Sequence, residues 1–164
     1  MKLRLEVSAD WAALRAIYEA SFGQLAEATL VQHLRTDGDL ILSLTAYAEE
    51  PVGHIAFSRL SIDAVPSIKG CALAPLAVIP AAQGQGAGTL LVEEGLRRMR
   101  AENYDFVVVL GEPDYYGRFG FTAALARQLK TPYDGRYLQA LALSEKGKEA
   151  HGTVSYARAF AELK

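Results

Sequence analysis

Leu76-Ala77-Val78-Ile79-Pro80-Ala81-Ala82-Gln83-Gly84-Gln85-Gly86-Ala87-Gly88 is the stretch on which the fold of this chain turns. An apolar strand stops at Pro80, a glycine-rich loop follows, and an amphipathic segment runs from Thr89 to Arg100. That order builds a pocket for a pyrophosphate. Gly84, Gly86 and Gly88 let the backbone curl so that several N–H groups converge. The free N–H groups and positive dipole end of the following helix add to the same spot. The bland alternative is a tight strand-to-helix turn that holds nothing.

The loop excludes two common phosphate binders. A P-loop needs a lysine that reaches the outer phosphates. Here Thr89 follows Gly88, and no lysine lies between Lys69 and Lys130. A dinucleotide fingerprint needs Gly-x-Gly-x-x-Gly in an early βαβ unit. Here the third glycine comes one residue early, and the loop sits mid-chain.

What fits is Gln83-x-x-Gly86-x-Gly88, which resembles the acetyl-CoA loop of the GNAT superfamily of N-acetyltransferases. A second motif follows the apolar run Phe106–Leu110. Tyr115-Tyr116-Gly117-Arg118-Phe119-Gly120-Phe121 lies position by position over the Phe-Tyr-x-Lys-x-Gly-Phe common in that superfamily. With Pro113 ahead of it, the run is similar to a branch of small bacterial acetyltransferases. An aromatic turn that only packs is the alternative. The resemblance covers most of the chain, is strongest from about residue 70 to 121, and fades after about residue 130.

The resemblance implies an α/β fold: one domain over residues 1–164, with a bent mixed sheet, a splayed cofactor cleft and flanking helices. The cosubstrate it implies is acetyl-CoA. Gln83, Gly84, Gln85, Gly86, Ala87 and Gly88 would hold the pyrophosphate. Leu76, Ala77 and Val78 would pair with the pantetheine arm as an added strand. The Val78 N–H would polarise the thioester carbonyl, a role that contributes about 3–4 kcal/mol at comparable sites. Tyr116 matches the general acid that protonates the leaving thiolate. A phenol of pKa ~10 stays protonated at neutral pH, and an alkyl thiol lies near ~8.5. Tyr115, its neighbour, ranks second for that role. Glu27, Glu112, Asp114 and His54 are candidates for the base that deprotonates the amine, and none stands out. Arg118 suits a CoA phosphate or an anchoring carboxylate equally. The chain departs from many relatives at Gly111-Glu112-Pro113-Asp114, where an asparagine usually contacts the cofactor.

Composition bounds the rest. The chain has 164 residues, 51% of them hydrophobic, enough for a core rather than disorder. Its net charge of −2 is spread out, so nothing points to nucleic acid or an anionic membrane. Cys71 stands alone in an apolar stretch, which fits a buried thiol in a reducing cytoplasm. No signal peptide or membrane span is expected, no metal cluster is evident, and a homodimer is left open.

Local patterns place the remaining elements. Leu3–Val7 alternates as a strand, Ser8 suits an N-cap, and Trp11, Leu14, Ile17 and Tyr18 recur at helical spacing. A second helix is expected over Gln24–Arg35, then a hairpin of Leu40–Ala48 and Val52–Leu60. Pro75 within the strand Cys71–Val78 should interrupt pairing on its open side. Gly88, Leu91, Val92, Gly95, Leu96 and Met99 mark the buried face of the loop helix. Ala123–Leu129, Tyr137–Leu143 and Thr153–Tyr156 are strand candidates. The acceptor should be framed by residues 20–35 and the C-terminal third. Rival readings are a non-catalytic acyl-CoA sensor, a dimeric interaction module on the same scaffold, and a nucleotide binder of another class.

Overall fold

The computed structural model of the chain describes residues 1–163. Strand β1 (Lys2–Leu5) leads to helices α1 (Trp11–Phe22) and α2 (Ala26–Asp37), then to strands β2 (Leu40–Tyr47), β3 (Pro51–Ile62) and β4 (Gly70–Val78). Helix α3 (Ala87–Ala101) and strand β5 (Phe106–Leu110) follow. Next come the one-turn helices α4 (Pro113–Tyr116) and α5 (Ala123–Ala126), and strands β6 (Leu129–Lys130), β7 (Leu138–Ala142) and β8 (Gly152–Tyr156). Helices α1 and α2 both end where glycine adopts a left-handed backbone, Gly23 at φ 71° and Gly38 at φ 78°.

The sheet is open and mixed, with neighbours in the order β1-β2-β3-β4-β5-β7; β8 pairs with β3, and β6 with β8. The β1–β2, β2–β3, β5–β7 and β3–β8 pairs are antiparallel, and β4–β5 is parallel. A parallel neighbour requires a crossover, which α3 supplies. The β4–β5 register runs from Gly70↔Phe106 to Leu73↔Val109 and stops there. Pro75 lies just beyond, with no N–H to continue a ladder. The early end of that ladder is what its position predicts.

Chain contacts divide the molecule into two compact units. The first contains Met1–Ser58, Pro75–Gly95 and the segment from Ala157 onward. Its core cluster joins Leu14, Ile17 and Tyr18 of α1, Val31 of α2, Ala56 of β3 and Ala77 of β4. On the other face of β3, α3 comes so close that a Cβ at Gly95 would lie 2.4 Å from the Phe57 ring. The helical spacing of Leu91, Val92 and Gly95 therefore marks a real packing face.

The second unit contains Arg59–Ala74 and Leu96–Tyr156. Phe106, Val107 and Val108 are buried within it, as a strand covered on both faces requires. Cys71 is also buried, its thiol donates weakly to the Phe106 carbonyl at 3.8 Å, and burial pushes its pKa up, so it is an inert packing residue.

Three local expectations need correction. Ser8 does not cap α1; it opens a short 3-10 turn, and it is the Asp10 carboxylate that accepts the Val7 N–H at 3.0 Å. Ala123–Leu129 is not a strand, because Thr122 accepts the Leu125 N–H and nucleates α5. Only Leu129 and Lys130 reach β6. Of the three glycines expected to curl the loop, only Gly84 and Gly86 have positive φ; Gly88 lies within α3, which begins at Ala87, in keeping with its place on the helix face.

Candidate active site

In the first unit, β4 ends in a connection whose geometry is set by two glycines. Gly84 has φ 79° and Gly86 φ 89°, with nothing within 4 Å of where a Cβ would stand at either. Backbone conformation, not crowding, is the reason for glycine at both positions. Both are exposed, while Ala87 beneath them is buried. Leu90 N–H bonds back to the Gly86 carbonyl at 3.0 Å, so α3 starts directly from the loop. The first-turn N–H groups of a helix have no partner within it. Here they emerge beside an exposed loop, which is the requirement for holding an anion at a helix start.

The end of β4 is clamped from three directions. The Val78 carbonyl accepts the Ser21 hydroxyl of α1 at 3.1 Å and the Gln83 side-chain amide at 3.0 Å. The next N–H, of Ile79, bonds to the Val52 carbonyl of β3 at 2.9 Å. Gln83 therefore spends its side chain on folding the turn, and its own N–H bonds back to the Pro80 carbonyl at 3.3 Å. Leu76 and Val78 are half-buried, and Ala77 is packed in the core cluster. Ser21 was not legible as a site residue, since it meets Val78 across 57 positions of sequence.

In the second unit, β5 runs into Gly111 and the one-turn helix α4, which presents Tyr116. The Tyr116 ring meets Tyr115 edge-on at 5.0 Å and Phe121 at 5.7 Å. Its third wall is Gly111, where a Cβ would fall 2.4 Å from the ring. Gly111 is itself held by the buried Gln139, whose amide donates to its carbonyl at 3.0 Å. No hydrogen bond engages the Tyr116 hydroxyl among the described residues. Burial first, and then Tyr115, raise the Tyr116 pKa well above that of an ordinary phenol. The group is thus a fixed, protonated donor. Tyr115 is less buried; burial raises its pKa while Arg118 opposes the shift. The Arg118 guanidinium stacks 4.6 Å over the Tyr115 ring and donates to its carbonyl at 3.3 Å.

The base candidates part company. Glu112 and Asp114 are exposed in the second unit. Glu27 lies in the first, where the Gln24 amide donates to it at 2.9 Å. His54 is fully buried in β3 and hydrogen-bonded through both ring nitrogens. In the same unit a cavity of about 400 Å³ opens between α1 and α2, lined by residues that include Trp11, Leu14, Tyr18, Ala28, Val31 and Arg35. Among the described residues no cluster of histidine, cysteine or carboxylate side chains is arranged to hold a metal ion. No described helix is long and apolar enough to cross a membrane.

The glycine loop and the Tyr116 turn both lie within residues 10–121, the span that matches the family model "Acetyltransferase (GNAT) family". This chain belongs to the GNAT family. The Escherichia coli K12 N-acetyltransferase YhbS is 38% identical over 137 residues, covering 82% of this chain and 81% of that protein. YjhQ of the same strain, also named an N-acetyltransferase, is 40% identical over 116 residues, 68% of this chain and 64% of YjhQ. Among solved structures, that of Escherichia coli YhbS in complex with CoA superposes with a TM-score of 0.90 at 34% identity, over 98% of this chain and 91% of that one. A GNAT acetyltransferase from Brucella melitensis in complex with acetyl-CoA gives a TM-score of 0.82 at 34% identity, over 97% of each chain. The open mixed sheet with flanking helices is the GNAT fold.

Proposed function

We propose that this GNAT protein transfers the acetyl group of acetyl-CoA directly to a primary amine, with residues 1–164 working as one catalytic domain. The observation that carries this reading is the turn from β4 into α3. Left-handed Gly84 and Gly86 expose backbone N–H groups at a helix start, where the diphosphate of CoA fits. Backbone from Gln83 to Gly88 would hold that diphosphate, and Leu76, Ala77 and Val78 would pair with the pantetheine arm. The Val78 N–H would face the thioester oxygen, on a strand end already held by Ser21, Gln83 and Val52. Fixed donors of this kind stabilise a developing oxyanion because they need no reorganisation. Tyr116 would return a proton to the departing thiolate. Its free hydroxyl favours an enzyme over a sensor that only binds acyl-CoA.

The acceptor is assigned to the cavity between α1 and α2, where apolar walls and the Trp11 ring meet a polar rim. The test is release of CoA thiol with spermidine, kanamycin, free lysine and a tripeptide with a free N-terminus. Turnover of at least one amine, with the acetyl group found on nitrogen by mass spectrometry, is the expected result. Buried Cys71 keeps the thiol blank low. Binding of acetyl-CoA without turnover of any amine would leave the sensor reading in its place.

A further inference from the structure

Of the described residues that line the cavity between α1 and α2, two are cations and none is a carboxylate. The two cations differ. Arg35 is already engaged: Nε and a terminal nitrogen each donate to the Glu6 carboxylate at 2.7 Å, and the guanidinium stacks 4.5 Å from the centre of the Trp11 ring. Arg15 stands exposed on α1, and among the described residues no hydrogen bond or ion pair engages it. Glu19, one turn further along the same helix, does not pair with it. The cavity therefore carries one positive charge that nothing in the fold answers.

Its other surfaces sort by polarity. The floor is apolar, with Leu14 and Val31 buried and Leu25 half-buried. The α2 rim offers neutral groups such as the exposed Gln32. Trp11 stands at the end where α1 begins; its Nε1–H donates to Glu6 at 3.3 Å, which fixes the ring, and 48% of the residue is still open to solvent. Leu25 stands at the other end, in the link between the two helices. Just before that link, Ser21 donates to the Val78 carbonyl at the end of β4. An acceptor lying in the cavity thus has its amine end at the link, with Arg15 about 9 Å back along the axis of α1.

We propose that the acceptor is an amine that also carries a carboxylate and an apolar side chain, an amino acid or a short peptide, with its carboxylate on Arg15. The proposal rests on the acetyltransferase reading and names the substrate class of that same site. A guanidinium presents a planar fork of donors that a carboxylate meets through two parallel hydrogen bonds. The apolar side chain would cover Leu14, Val31 and the Trp11 ring, while Gln32 would meet polar backbone groups. A polyamine or an aminoglycoside would set several ammonium groups against Arg15, with no carboxylate in the lining to receive them. The unanswered charge selects for an anionic acceptor and against polycations at once.

Trp11 is the sole tryptophan of the chain, so its fluorescence reads occupancy of the cavity without turnover. The protein saturated with CoA is titrated with leucine, leucyl-leucine, the C-terminal amide of each, spermidine and kanamycin. The amides keep the amine and the side chain and lack the negative charge. The expected result is that the acids bind and that each amide binds roughly tenfold more weakly, while spermidine and kanamycin give no response at the same concentrations. The tighter of leucine and leucyl-leucine tells an amino acid from a peptide. Arg15→Gln should bring the Kd of the acids to that of the amides, with an unchanged melting temperature. Lys2→Gln, which removes one charge from β1, should keep the preference.

Equal Kd values for acid and amide overturn the inference, and so does a preference that survives in Arg15→Gln. No response to the acids, or tighter binding of spermidine or kanamycin, overturns it as well. The same compounds are then offered with acetyl-CoA. Faster acetylation of spermidine or kanamycin than of the acids leaves the acetyltransferase reading intact and overturns the acceptor class. Acids that bind with the expected preference, in a protein that acetylates no amine, leave the anion site standing and overturn the acetyltransferase reading instead.

Discussion

Tyr116→Phe is expected to lower kcat roughly 10²-fold or more while acetyl-CoA affinity holds. The substitution deletes one hydroxyl. Because that hydroxyl bonds to no described residue, the loss should hardly affect stability. The ring keeps its contacts with Tyr115, Phe121 and Gly111. What disappears on the proposed reading is the donor for the departing thiolate, which at neutral pH would then leave as a charged group. The raised pKa of Tyr116 adds a sign. The phenol is fully protonated at pH 7 and stays so past the ordinary phenol value of ~10, so it should impose no alkaline fall in kcat below that pH. A steady-state comparison with matched acetyl-CoA titrations checks both statements. An unchanged kcat removes Tyr116 from the acid role and turns attention to Tyr115.

Gly86→Val is expected to raise the acetyl-CoA Kd by about 10- to 100-fold without unfolding the protein. Gly86 sits at φ 89°, where a β-branched residue is strained by about 1–3 kcal/mol. There is open space where the side chain would stand, so the cost falls on the local backbone and not on the core. The loop is exposed and free to relax, and relaxation turns the N–H groups away from the diphosphate. Calorimetric titration of the native and variant proteins reads the affinity directly, with the apo melting temperature as the control for folding. Equal affinities would show that the loop backbone does not hold the cofactor.

The parts of this account that rest on local order were legible in the sequence. Pro80, Gly84 and Gly86 announce a strand, a tight turn and a helix, and the structure has them in that order because each acts through its own backbone. The sheet follows from alternation at Leu40–Tyr47 and from the apolar run at Phe106–Leu110, since burial of a face leaves a period in the sequence. Gly88 was legible two ways, as the third of three alternate glycines and as the start of the helix face that continues with Leu91 and Val92, because nothing local shows where α3 takes over. The segment Ala123–Leu129 was misread because its three alanines and two leucines suit either structure, and the Thr122 side chain decides.

The supporting groups were not legible. Gln139 reaches Gly111 across 28 positions, Ser21 reaches Val78 across 57, and Tyr18 reaches His54 across 36. Such pairs exist only after the sheet has formed, and single residues of these types occur throughout any chain. His54 shows the difference well. As a residue it is a lone histidine in a strand. In the fold it is a neutral ring held by a tyrosine on one side and a serine on the other.

The central claim is that the β4–α3 turn is an acetyl-CoA site, and a thermal shift of the purified protein tests it most directly. The ligands are acetyl-CoA, CoA, ATP and NAD, each well above any expected Kd. At ~100 times Kd a ligand adds ~2.7 kcal/mol, a rise of roughly 5–10 °C for a chain of this size. The account predicts that rise with acetyl-CoA and with CoA, and none with ATP or NAD. A shift with ATP or NAD alone, or with none of the four, would contradict it.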